Sequence, residues 1–377
     1  MTQNVEDQAR RYNRQQRWLN LIDGAVKLTL LILLLVTGAT RDLNALAMRL
    51  GGGISETLAY GLGLFFYLFV LIFFGKLAGA GMEYYAFRLE RRYRLTQQKF
   101  GGWLWDECKG FAVSLLLSTV LVELLYFIIR HFSVYWWILC WGAFTLFFIV
   151  LAQLAPVVLF PIFYHFETLK DEELRQRLLA LAKKSGTSVR GVYEWKLSEK
   201  SNKANAALAG LGRTRRIVIS DTILNHYTPE EIEAVLAHEL GHHAGRHTLY
   251  GMATQSLLTF AGFWVLKTVL RQAPYLQADF SNLPLIIAVA AVLSLLFMPL
   301  ANTLSRHFER QSDRYACEAT GSGAALASAL DKLAGQNLAD REPSRWVEIL
   351  FHSHPAPGKR IAAAQKWETE HNRKPSK

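Results

Sequence analysis

Cysteine is scarce in this chain. Cys108, Cys140 and Cys317 are widely spaced, odd in number and form no CxxC pair. That excludes a disulfide framework and a thiolate zinc site, so any metal must be held by His and carboxylate. Charge is scarce too: Asp, Glu, Lys and Arg make up only 19% of the 377 residues, against about 25% in an ordinary soluble protein. Acidic residues are the rarer sign, 31 against 42 Lys and Arg, for a net charge of +11. Such an excess can mark a nucleic-acid partner, but that needs a basic face with readable motifs. Here Lys and Arg gather in certain loops between apolar runs, which is a membrane-topology pattern, and no nucleic acid is expected. Internal repeats and low-complexity tracts are absent, which excludes a repeat array.

What is present in excess is apolar. Hydrophobic residues make up 51% and aromatics 12%, with 22 Phe and 10 Trp. They fall in runs near 21–40, 57–80, 111–130, 134–160, 249–267 and 284–304, each close to the roughly twenty residues that cross a bilayer as a helix. A signal peptide cut near Thr37-Gly38-Ala39 competes for the first run. The long basic leader (Arg10, Arg11, Arg14, Arg17) and the later spans favour a retained helix. The fourth run is expected to continue past Pro156 and Pro161 as a kinked helix, while Gln255 and Thr259 dilute the fifth. Glu123, inside the third, either faces an internal cavity or pairs locally. Cations are dense in the leader, the 81–110 loop, the 165–248 block and the C-terminal region with its basic tail. The alternate loops hold only Arg41 and Arg49, then Arg130, then Arg271. Six spans with both termini in the cytoplasm satisfy every loop.

The fold expected is therefore mainly α and polytopic, with a four-span membrane domain at 1–164. A small α+β catalytic domain at 165–377 includes the last two spans. In it a charged helix near 168–185 precedes strand-like runs at Val189–Lys196, Ala204–Gly210 and Arg216–Ser220.

The stretch TPEEIEAVLAHELGHHAGRH, from Thr228 to His247, carries the chemistry. Thr228 and Glu231 form a capping box, Pro229 sits at the first helical position, and Ile232, Val235, Leu236 and Leu240 recur with helical spacing. On that helix His238 and His242, four apart, share a face and can reach one metal ion, with Glu239 beside the first as general base. Zinc bound by two imidazoles needs a third protein ligand. The longer HExxHxxGxxH array is rejected, because position 248 is Thr248 and His247 is one residue off. A slip of one turns a helical side chain by roughly 100°. His243 and His247 are then outer or surface groups. A candidate lies after the last span in SRHFERQSDRYA, where Glu309 and Asp313 are four apart. Glu309 can ligate zinc while Asp313 orients a ligand imidazole. An ordinary charged helix laced with Arg306, Arg310 and Arg314 fits that spacing equally well.

HELGH, followed after two spans by SRHFERQSD, resembles the type I CAAX prenyl endopeptidases, integral-membrane zinc metalloproteases. FRLERRYRLTQQKFGGWLWDECKG, SNKANAALAG, RRIVISDTIL and FHSHPAPGKRI are similar to further family elements in the same order, over about residues 55–365. The resemblance implies one Zn²⁺ per chain on His238, His242 and Glu309, with Glu239 as base and Asp313 behind a ligand. It implies a gluzincin-like site opening into a chamber among the helices. It also implies that His354 and Arg360 bind substrate and developing negative charge, and that Asn205 and Ala206 lie on an edge strand pairing with an extended polypeptide. Six spans rather than seven, and a short leader, resemble a bacterial member, hence an inner-membrane location. The expected substrate is a membrane-associated or C-terminally lipidated polypeptide among membrane lipids. An intramembrane-cleaving quality-control protease of the heat-shock type, and a catalytically silent scaffold or transporter, are the competing readings.

Overall fold

The computed structural model of the chain describes residues 3–50, 56–210 and 212–372, so the end of the basic tail, 373–377, lies outside the described residues. Among the described residues six helices are long and apolar enough to cross a membrane. The first, α1 (Gln3–Val36), carries the leader into the first span without a break. Residues 3–20 contain neither Gly nor Pro and are rich in Gln and Arg, so nothing in them stops a helix. Gly38, with φ +75°, makes the left-handed turn that glycine adopts most readily, and α2 (Ala39–Leu50) folds back. It packs on α3 (Glu56–Arg92): a Cβ at Gly63 would stand 3.2 Å from the Ala47 carbonyl oxygen.

The expected 81–110 loop is mostly helix. α3 and α4 (Phe100–His131) extend well past the bilayer-length runs and leave only residues 93–99 between them. That turn and the helix ends beside it grip the catalytic region. Asn202 N donates to Leu95 O at 3.0 Å, and Lys203 and Lys200 pair with Glu90 and Asp106. α5 (Trp136–Leu154) passes through a π-turn at Ala155–Leu159 into α6 (Phe160–Phe163). Pro156 and Pro161 withhold N–H groups there, and the expected kink takes this form.

Beyond the fourth span the chain builds β1 (Phe166–Thr168), α7 (Glu172–Lys184), β2 (Val192–Trp195), β3 (Ala206–Ala209) and β4 (Arg216–Ser220). The sheet order is β1-β2-β4-β3, with β2 and β4 parallel and the other pairs antiparallel. β3 is thus an edge strand with one side unpaired among the described residues. α8 (Asp221–Leu224) leads to α9 (Pro229–Ala244), α10 (His247–Leu270), α11 (Leu283–Thr320), α12 (Gly323–Gln336), α13 (Arg345–Phe351) and α14 (Pro357–Asn372). α7 and α9 cover the sheet through Leu174, Leu178, Ile217, Ile219, Ile232 and Leu236. Each such buried side chain contributes about 1.5–3 kcal/mol. α11 is one continuous helix, so its last turns and the sixth span share a rod. Pro299 inside it withholds one N–H, and the Thr303 hydroxyl donates to the Pro299 carbonyl at 2.7 Å.

Candidate active site

α9 starts where the capping box requires. Thr228 N donates to Glu231 Oε2 at 2.8 Å, and Glu231 N donates back to the Thr228 hydroxyl at 3.3 Å. Ser328 and Lys332 of α12 also donate to Glu231, both at 2.6 Å. Burial alone would raise the Glu231 carboxyl, but Lys332, Ser328 and the Thr228 backbone outweigh it and hold it below its usual range. The buried cap ties the start of α9 to α12.

The other end of α9 lies against α11. A Cβ built on Gly241 would stand 2.9 Å from Ser312 Cα, closer than real Cβ contacts allow. Glycine at that position lets the two backbones approach until their side chains meet. Gly241 was not singled out from the sequence. The available signal was a glycine inside a strong helix, which costs about 1 kcal/mol and needs a reason.

Ligand atoms of three residues converge at this crossing. His238 Nε2 lies 3.3 Å from His242 Nε2 and 3.4 Å from Glu309 Oε2, and His242 Nε2 lies 3.3 Å from Glu309 Oε1. A tetrahedral zinc site with bonds of about 2.0–2.1 Å has ligand–ligand edges of about 3.3–3.4 Å. The group therefore fits that ion, and among the described residues it is the set of His, Cys, Asp and Glu so arranged. Glu309 is only 4% exposed, and its buried Oε2 makes no hydrogen bond of acceptable geometry although His354 Nδ1 stands 2.8 Å away. A buried carboxylate oxygen without a satisfied hydrogen bond, 3.4 Å from His238 Nε2, is what a cation would satisfy. Burial pulls His238 down, yet hydrogen bonds to Asp313 and Glu309 raise it to about 9. The electrostatics of the pocket favour positive charge.

Around these atoms the remaining candidates take distinct places. Asp313 accepts from His238 Nδ1 at 2.9 Å, the far side of the ring from Glu309. Arg360 grips Asp313 with two hydrogen bonds of 2.7 and 2.8 Å, and its side chain is 13% exposed. Its Nη2 also reaches within 3.4 Å of Glu309 Oε2. His354 is 60% exposed and stands at the mouth. His247 stacks on Phe308 and meets Gln311 at 2.8 Å, with its Nδ1 3.2 Å from His242 Nδ1. It backs the second histidine and stays outside the ligand triangle. Asn205 lies just before β3, joined to Ser220 by two hydrogen bonds of 2.9 and 3.1 Å, and Ala206 opens the edge strand.

Two cavities meet at this point. One of about 470 Å³ is lined by Asn205, Ala206, Asn13 and Arg360. One of about 1020 Å³ is lined by Leu208, Gly210 and residues of the membrane helices such as Gln153, Met252 and Leu304. His238, Glu239 and His354 line both. The chemistry available is that of a water and an extended chain brought together at a Lewis-acidic centre with a carboxylate base.

Comparison with known proteins identifies the family. The profile of Peptidase family M48 matches residues 168–368, and that of the CAAX prenyl protease N-terminal region, five membrane helices, matches 1–165. In this chain the second match holds four spanning helices and the short α2. A Bacillus subtilis protein named uncharacterized metalloprotease YhfN is 30% identical over 311 residues, covering 80% of this chain and 73% of its own. The CAAX prenyl protease 1 homolog of Oryza sativa is 29% identical over 291 residues, covering 75% and 68%. The crystal structure of S. mikatae Ste24p superposes with a TM-score of 0.85 at 22% identity, over 97% of this chain and 89% of that one.

Proposed function

This chain belongs to peptidase family M48 and is a multi-pass membrane metallopeptidase; from that premise we propose that His238, His242 and Glu309 hold one zinc ion and that Glu239 is the general base of peptide hydrolysis. The observation that carries the assignment is the ligand triangle with edges of 3.3–3.4 Å. Zinc bound there supplies Lewis acidity to a scissile carbonyl and to a water. Glu239, which lines both cavities, takes the proton from that water and delivers it to the leaving amine. Asp313 fixes the tautomer of His238 by holding Nδ1–H, so that Nε2 keeps its lone pair toward the ligand triangle. Arg360 holds Asp313 in place, and its guanidinium faces the smaller cavity, where it and His354 stabilise negative charge that develops in the transition state. Asn205 and Ala206 start the edge on which an extended polypeptide adds as a strand.

The substrate we propose is a membrane-associated or C-terminally lipidated polypeptide. The apolar wall of the larger cavity supports that class. The catalytic unit spans 165–377 and the membrane domain 1–164. Both termini and the metal site face the cytoplasm, in a bacterial inner membrane. The match over 1–165 counts against the heat-shock-type reading, and membership of a peptidase family counts against a silent scaffold. Glu239→Gln provides the test: purified in detergent, it is expected to keep its zinc and lose peptide hydrolysis by at least about a thousandfold. Hydrolysis at near wild-type rate in that variant would overturn the assignment.

A further inference from the structure

The larger cavity carries charges that this mechanism does not use. Arg215, between the turn Gly212–Thr214 and β4, points a guanidinium Nη1 at His243 Nε2, 3.2 Å away. An imidazole nitrogen accepting that bond orients the cation without neutralising it. Arg246 caps α10 in a left-handed conformation, φ +53°, and is exposed on the same cavity. Among the described residues neither arginine has a carboxylate within ion-pair distance. The carboxylates lining the cavity are Glu239 and Glu309, both beside the histidine ligands. A cavity of about 1020 Å³ on the catalytic base therefore presents two unpaired cations to whatever enters it.

β3 fixes which part of a substrate meets them. Its free edge runs from Ala206, in the smaller cavity, to Leu208, in the larger. A chain adding antiparallel, the more stable pairing, runs N to C from Leu208 toward Ala206. The segment before the scissile bond then lies in the larger cavity. We infer that Arg215 and Arg246 form a specificity site for an acidic side chain on the N-terminal side of the scissile bond. The inference rests on the protease reading above. A lipid phosphate would satisfy the same cations, but there it would occupy the path that the peptide needs to reach Glu239.

The test uses the full-length zinc-loaded enzyme in phosphatidylcholine vesicles. Quenched-fluorescence peptides with an N-terminal palmitoyl anchor carry Asp, Asn or Lys at successive positions on either side of the bond. Asp before the bond is expected to raise kcat/KM about fivefold over Asn, an advantage that shrinks with salt. Arg215→Glu and, separately, the more exposed Arg246→Glu are expected to reverse the order, with Lys above Asp. Binding of the same peptides to the Glu239→Gln protein, followed by fluorescence anisotropy, should rank them as wild-type hydrolysis does. Equal rates and affinities for all three, or a preference confined to residues after the bond, would overturn the site. Rates that follow the phosphatidylglycerol content of the vesicles, whatever the peptide charge, would assign the arginines to lipid and overturn it too. If wild-type enzyme leaves every peptide intact, the protease reading fails and the anisotropy ranking alone decides the site.

Discussion

At the scale of single residues, the chain from Arg360 to Asp313 to His238 is what separates this centre from a mere cluster of ligands. A ligand imidazole can bind a metal through either nitrogen, and the tautomer depends on what the other nitrogen meets. Asp313, 2.9 Å from His238 Nδ1 and itself clamped by Arg360, leaves no choice. Asp313→Asn keeps the shape but weakens the acceptor and strands the Arg360 guanidinium. Zinc affinity of that variant, titrated against a chelating dye, should fall about 10- to 100-fold. An unchanged affinity would show that Asp313 is not needed to orient the ligand. His354 had no reading of its own from the sequence, because an exposed histidine before a proline looks like any loop. Only a fold that brings α11 beside residues 351–357 puts its Nδ1 2.8 Å from Glu309.

At the scale of elements, the site is the crossing of α9 and α11, and Gly241 sets their separation. Gly241→Ala brings a methyl group to 2.9 Å from Ser312 Cα, which only a backbone shift can relieve. Overpacking of this kind costs about 1–3 kcal/mol. The variant is expected to melt earlier and to lose zinc together with activity. Gly241→Ala that matches wild type in both melting temperature and metal content would show that the helices do not need the close approach.

α9 itself is legible in the sequence, since capping box, Pro229 and apolar spacing all point to one helix start. β4 emerged at its expected bounds because a run of Ile and Val between charged residues has few other uses. β1 was not legible: three residues carry no periodicity, and only pairing with β2 makes them a strand. The helical leader and the helix ends within 81–110 were missed for another reason. Mean hydropathy falls where charged residues flank the apolar runs, while the helices continue through them, even across Gly81, Gly101 and Gly102. The pairing of Glu309 with two histidines 67 and 71 residues upstream is only a candidate in the sequence, because an ordinary charged helix fits the Glu309–Asp313 spacing equally well; the resemblance is what singles it out.

At the scale of the molecule, the membrane helices and the catalytic region are built as one body. α1 reaches from the first span to the catalytic side, where Asn13 donates to Leu338 O at 2.7 Å and lines the smaller cavity. α11 joins the sixth span to Glu309 without interruption. At the opposite end α2 closes the bundle: the Thr40 hydroxyl donates to Ser281 O at 2.8 Å, and Asn44 donates to Asp279 at 2.7 Å. Such a body has one orientation, and the Lys and Arg bias predicts which. A phosphatase or fluorescent reporter fused at the C-terminus should report the cytoplasm, and a periplasmic signal would contradict that topology.

The proposed centre holds one zinc ion on side chains from these two crossing helices. Metal content of the purified full-length protein, measured by inductively coupled plasma mass spectrometry, tests it most directly. About one zinc per chain is expected in wild type and in Glu239→Gln, with far less in His242→Ala and in Glu309→Ala. Full zinc occupancy in the two ligand variants, or none in a wild-type protein that still hydrolyses peptides, would contradict it.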